Sequence, residues 1–125
     1  MGEMISHIRM TTVYVAHQDV ALEFYTDKLG FEKWQDDMIQ DGSFRWLVVR
    51  PGGAETGIVL FEDPARAGLF GVVFATDDIE ATFEELRDKG VQFTEVPTKQ
   101  PWGVMQAQFV DPDGNGFLLV EASRE

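Results

Sequence analysis

The chain echoes itself at half its length. Near the N-terminus it reads Val13-Tyr14-Val15-Ala16-His17-Gln18-Asp19, then a helix-like run ending Asp27-Lys28-Leu29-Gly30-Phe31. About 60 residues later it reads Val72-Val73-Phe74-Ala75-Thr76-Asp77-Asp78, then a run ending Arg87-Asp88-Lys89-Gly90-Val91. Each copy is a strand, an acidic helix start, an amphipathic helix, a glycine stop and a second strand. Repeated units often build a binding site between the copies, so the echo also says where to look for function.

Residues 5–16 alternate and carry Thr11, Thr12, Val13, Tyr14 and Val15, which predicts a strand. Asp19 opens the first helix, Ala21, Phe24, Tyr25 and Leu29 form its buried stripe, and Gly30 closes it. Strands are predicted at 31–34, 44–50 and 57–61, with a turn at Asp41-Gly42 and a linker over 63–68. The second unit runs from a strand at 69–75 into a helix with capping-box spacing at Asp77 and Glu80, striped by Ile79, Phe83 and Leu86. Strands at 91–93, 104–110 and 117–121 follow, with a loop over 97–103 and a turn at Asp111-Pro112-Asp113-Gly114-Asn115. The expected fold is α+β and a single domain over 1–125. It has two βαβββ units, about 4–62 and 69–123, whose sheets join in one curved mixed surface with the helices outside.

The chain has no cysteine, which excludes disulfides and thiolate metal sites and suits a cytoplasmic location. No run approaches the ~20 apolar residues of a membrane span, and no signal peptide is visible. A net charge of −12 weighs against nucleic acid as a partner, because Lys and Arg supply most of that affinity. Met1-Gly2-Glu3-Met4-Ile5-Ser6 matches the N-myristoylation pattern, but so short a pattern matches often by chance, and Ile5 and Ile8 read as the start of a strand. No membrane partner is expected.

Three stretches carry a family resemblance. The first is Val15-Ala16-His17 with Ala21-Leu22-Glu23-Phe24-Tyr25 and Leu29-Gly30-Phe31. The second is Phe74-Ala75-Thr76-Asp77-Asp78 with Gly90-Val91, and the third Phe109-Val110-Asp111-Pro112-Asp113-Gly114-Asn115. In this order and spacing they resemble the vicinal oxygen chelate superfamily, the glyoxalase, bleomycin-resistance and extradiol-dioxygenase group. The motifs are specific for the fold and not for a reaction.

Metal-dependent members of that group hold a divalent ion through His, Glu or Gln on four strands. The resemblance implies Met10, Val59, Gly71 and Leu118 at those positions. A thioether, two alkyl groups and a glycine are not hard-metal ligands, so no metal and no cofactor are expected. The only histidines are His7 and His17. His7 reads as a surface or edge residue on the face opposite Met10, and His17 as a polar helix-entry residue.

Strand alternation places Met10, Ile8, Thr12 and Tyr14 on one face, and Val13 and Val15 toward the helix. The same reasoning turns Gln106, Gln108 and Leu118 inward, and Ala107, Phe109, Phe117 and Leu119 toward the helix. Either Arg45 or Trp46 faces the cavity, by parity not both. Trp102 sits in a loop as a lid or as a buried anchor. The candidate ligand-binding residues are therefore Met10, Thr12, Tyr14, Trp46, Trp102, Gln106, Gln108 and Leu118, an apolar lining with few polar groups that suits a small organic ligand.

Bleomycin-resistance-type proteins of the group are small, acidic, dimeric and metal-free, and they sequester cationic drugs. The resemblance thus implies a homodimer binding a small hydrophobic or aromatic molecule. A lyase, isomerase or dioxygenase with relocated ligands is the alternative, set back because no inward-facing Glu, Asp or His is evident as a base. A protein-interaction subunit with a vestigial cavity is the third reading.

Overall fold

The computed structural model describes residues 4–122, so Gly2 of the acylation pattern lies outside the described residues. The chain divides into two compact units, the first ending at Arg66 and the second opening at Ala67. The first holds β1 (Met10–Val15), α1 (Gln18–Glu23), a π-helical turn (Phe24–Lys28), β2 (Glu32–Ile39), β3 (Phe44–Arg50) and β4 (Gly57–Glu62). The second holds β5 (Phe70–Thr76), α2 (Ile79–Asp88), β6 (Gln92–Lys99), β7 (Met105–Val110) and β8 (Gly116–Glu121).

The echo is topological as well as textual. The first sheet has the order β1-β4-β3-β2 and the second β5-β8-β7-β6. In each, the first and last strands are parallel and the other pairs antiparallel. Two mixed four-stranded sheets, each with a helix, make the α+β class expected from the sequence.

Local details depart from the sequence reading for physical reasons. β1 begins at Met10, not near residue 5, because its partner β4 begins at Gly57 directly opposite. Ile5 and Ile8 stay 83% and 71% exposed. The N-cap of α1 is His17, and Asp19 lies inside the helix and turns to Arg45. The helix widens after Glu23, with the Leu29 N–H reaching the Phe24 carbonyl at 3.2 Å. In α2 the cap is Asp78, whose carboxylate accepts the Ala81 N–H at 3.1 Å, so Asp77 and Glu80 form no capping box.

β2 and β6 run well past their predicted ends. β6 even includes Pro97, tolerated because β6 is an edge strand where a missing N–H breaks no ladder. Each strand also carries a β-bulge at the same place in its unit, between Lys33 and Gln35 and between Phe93 and Glu95.

The helix-side core of the first sheet contains Val13, Val15, Leu47, Val49, Ile58 and Leu60 with Ala21 and Tyr25, all buried. Gln18 is buried too, its amide donating to the Leu60 carbonyl at 2.8 Å and the Arg45 carbonyl at 3.1 Å. In the second unit an aromatic cluster fills this place. Phe109 lies 6.1 Å from Phe74, 5.5 Å from Phe93 and 5.4 Å from Phe117 by ring centroid, and Phe83 of α2 meets Phe93 edge-on at 4.8 Å. Among the described residues no helix is long and apolar enough to cross a membrane.

Candidate functional site

Each sheet has one face committed to its helix, so any site must use the other. In the first unit that other face is aromatic. Register pairs Thr12 with Val59 and Tyr14 with Phe61, and Val59 with Val48. Met10, Thr12 and Tyr14 therefore share a face with Phe61, Val59, Val48, Trp46 and Phe44. Ring contacts agree: Phe61 meets Tyr14 edge-on at 6.1 Å and Phe44 at 6.2 Å. Arg66 extends the row, with Nη1 donating to the Tyr14 hydroxyl at 3.2 Å and Cζ lying 5.3 Å from the ring centroid.

Of residues 45 and 46, Trp46 lies on the sheet face shared with Val48 and Val59, whereas Arg45 lines the cavity described below. The Trp46 indole Nε1–H donates to the Gln35 Oε1 at 2.7 Å, which orients the ring on the face away from α1. Gln35 reaches Trp46 because the bulge at Trp34 shifts it opposite Val48. Trp34 itself lies over Gly57, where an added Cβ would stand 2.7 Å from its Cε3. The Arg9 and Arg50 guanidiniums lie 4.7 and 4.1 Å from the Trp34 ring centroid.

Arg45 points to the helix side. It forms a fork with Asp36 (Nε–Oδ1 2.8 Å, Nη2–Oδ2 2.9 Å) and reaches Asp19 at 2.7 Å. These bonds, with a lesser one from Lys33, hold the Asp36 carboxyl down from 3.8 to about 2. The folded pKa lies below the unfolded one. The stabilisation is therefore complete above about pH 4 and lost as pH falls through 2. The wild type is expected to lose about 1–2 kcal/mol across that window that Asp36→Asn does not lose, as read from urea unfolding at pH 5 and pH 2.5.

A cavity of about 210 Å³ opens at the end of the same sheet, lined by Gln18, Ser43, Phe44, Arg45, Phe61 and Glu62. None of the eight sequence-derived site residues lines it. Phe44 and Phe61 belong both to its wall and to the aromatic row.

In the second unit the face away from α2 is mixed. Gln108 lies opposite Leu118 and Gln106 opposite Val120. Val73 and Ala75 of β5 continue it opposite Leu118 and Val120. One residue here escaped the sequence reading, which found no carboxylate on this face. Glu95 sits opposite Gln108, its Oε1 accepting the Gln106 amide at 3.1 Å and the Gln108 amide at 3.4 Å. Trp102 lies on the β6–β7 loop and is 68% exposed, so the buried-anchor reading of it does not hold.

The structure thus gathers Met10, Thr12, Tyr14 and Trp46 on one sheet face, and Gln106, Gln108 and Leu118 on the corresponding face of the other unit. The four metal-position residues do not suit a divalent ion. Met10, Val59 and Leu118 lie on these faces with no oxygen or imidazole donor, and Gly71 sits at the β5 irregularity without a side chain. Among the described residues no three His, Cys, Asp or Glu side chains gather into a metal-holding group. His7 is exposed and bonded to Ser6, and His17 is exposed at the α1 cap.

Residues 5–119 match the sequence model of the Glyoxalase/Bleomycin resistance protein/Dioxygenase superfamily. The YetH protein of Bacillus subtilis (strain 168) is 38% identical over 122 residues, spanning 94% of this chain and 100% of YetH. The crystal structure of a superfamily member from Sphaerobacter thermophilus DSM 20745 superposes with a TM-score of 0.90 at 37% identity, covering 96% of this chain and 100% of that one. TnmS3, an antibiotic binding protein from Streptomyces sp. CB03234, superposes with a TM-score of 0.85 at 37% identity, covering 97% and 99% of the two chains.

Proposed function

The chain belongs to the Glyoxalase/Bleomycin resistance protein/Dioxygenase superfamily, and from that premise we propose that it binds a small hydrophobic or aromatic organic ligand without a metal. The observation that carries this reading is the aromatic row Tyr14, Phe61, Phe44 and Trp46 on the face its helix leaves uncovered. Flat rings give a planar ligand large contact area, and the Gln35 bond holds Trp46 ready for it at little entropic cost. The resemblance to the antibiotic-binding TnmS3 supports a small-molecule ligand. A metal-positioned substrate is disfavoured by the donor chemistry of Met10, Val59, Gly71 and Leu118.

The proposal includes a homodimer. Its support is the exposed apolar group Leu69, Phe70 and Val73, 61%, 59% and 54% exposed, at and beside the edge strand β5.

The test is calorimetric titration with (2-naphthylmethyl)ammonium and its trimethylammonium analogue. Saturable binding of at least one is expected, and Trp46→Ala should weaken it by about 10- to 50-fold. An unchanged affinity in Trp46→Ala removes the aromatic row from the reading. No binding of either probe contradicts the reading itself.

A further inference from the structure

Glu95 occupies its place because of a bulge. Phe93 pairs with Phe109 on the helix side of the second sheet. Simple alternation would send Glu95 to that side as well, opposite buried Ala107. The extra residue Thr94 breaks the alternation and sets Glu95 opposite Gln108 instead. A bulge of this kind re-aims a side chain, and a second irregularity follows between Glu95 and Thr98.

The bonds around Glu95 determine what the face offers. An ionised carboxylate only accepts hydrogen bonds. Gln106 and Gln108 must therefore turn their NH2 groups to its Oε1, at 3.1 and 3.4 Å, and Gln100 turns its own to Oε2 at 3.4 Å. Each of the two β7 amides then directs its carbonyl oxygen away from Glu95. The patch presents the Glu95 carboxylate and the two amide oxygens as acceptors, half-buried beside the apolar Val73, Ala75, Leu118 and Val120.

The geometry points to a donor-selective subsite: Glu95, backed by Gln106 and Gln108, accepts hydrogen bonds from an ammonium or hydroxyl group of a ligand whose apolar body lies on the neighbouring side chains. This rests on the proposed reading of these faces and names the polar end of the ligand. The first unit holds the matching device in another chemistry. Its bulge at Trp34 sets Gln35 to serve Trp46, about 60 residues before the Glu95–Gln106 pair, so one copy orients a ring and the other an acceptor array.

The test uses two probes of equal charge. (2-Naphthylmethyl)ammonium carries N–H donors, and the trimethylammonium analogue carries none. The wild type is expected to bind the primary amine at least about 10-fold more tightly. Glu95→Gln, confirmed folded by circular dichroism, should bring that ratio to within about 3-fold, because the new amide lets the neighbouring glutamines turn. Glu80→Gln, which removes an equal charge from the exposed surface of α2, should leave the ratio intact. Equal binding of both probes by the wild type, or a ratio untouched in Glu95→Gln, overturns the subsite and leaves the ligand-binding reading standing. If neither probe binds, both fall.

Discussion

Replacing Asn115 with aspartate is expected to cost about 3–5 kcal/mol of stability at pH 7 and much less at pH 4. Asn115 and Asp111 are 2% and 4% exposed. The Asn115 amide donates to Asp111 Oδ2 at 2.8 Å, and its carbonyl oxygen accepts the Gly68 and Leu69 N–H groups at 2.8 and 3.0 Å. Asp111 Oδ1 accepts the Asp113 and Asn115 N–H groups, both at 2.9 Å. The turn is thus a clamp that fixes where the second unit begins. Aspartate keeps the bonds to Gly68 and Leu69 but faces Asp111 with a second carboxylate. One of the pair must then keep a proton, which raises its folded pKa above the unfolded value. Folded protein binds the extra proton, so stability falls as pH rises through that folded pKa. Urea unfolding at pH 4 and pH 7 checks it, and an equal loss at both would show that the Asn115–Asp111 bond is not the cause.

Phe109→Ala is expected to cost about 3–5 kcal/mol, since it removes the ring that touches Phe74, Phe93 and Phe117 at the centre of the second unit. Phe109 is 1% exposed, and rigid neighbours on three sides leave the void little room to collapse. Gln108 precedes it on the same strand with its side chain on the opposite face. The loss should therefore also loosen the Glu95 array. Equilibrium unfolding reads the first effect. A loss below about 1.5 kcal/mol would mean the cluster repacks around the smaller side chain.

The parts of the fold set by short-range chemistry were legible. Gly30 and Gly90 adopt positive φ of 77° and 93° at the ends of their helical segments, as their positions promised. Alternation placed Met10, Thr12, Tyr14, Gln106, Gln108 and Leu118 on the faces where they are found, because β1, β7 and β8 are regular through those residues. It failed where a strand is irregular. The β6 bulge shifted Glu95 by one position, and no local composition marks Thr94 as the extra residue. The reach of β6 to Lys99 was hidden too, because Pro97 reads as a loop unless the strand is known to be an edge.

The repeat marks equivalent positions in the two units. Met10 and Gly71, matched at the start of each unit, offer no chemistry for binding a polar group. The matched bulges do: Gln35 with Trp46, and Glu95 with Gln106.

The most direct test of binding on these faces is a 1H–15N NMR titration with (2-naphthylmethyl)ammonium. Saturable shifts of the Trp46 indole N–H are predicted, with the exposed faces of α1 and α2 unmoved. Shifts confined to the helices, or no saturable shift at all, would contradict it.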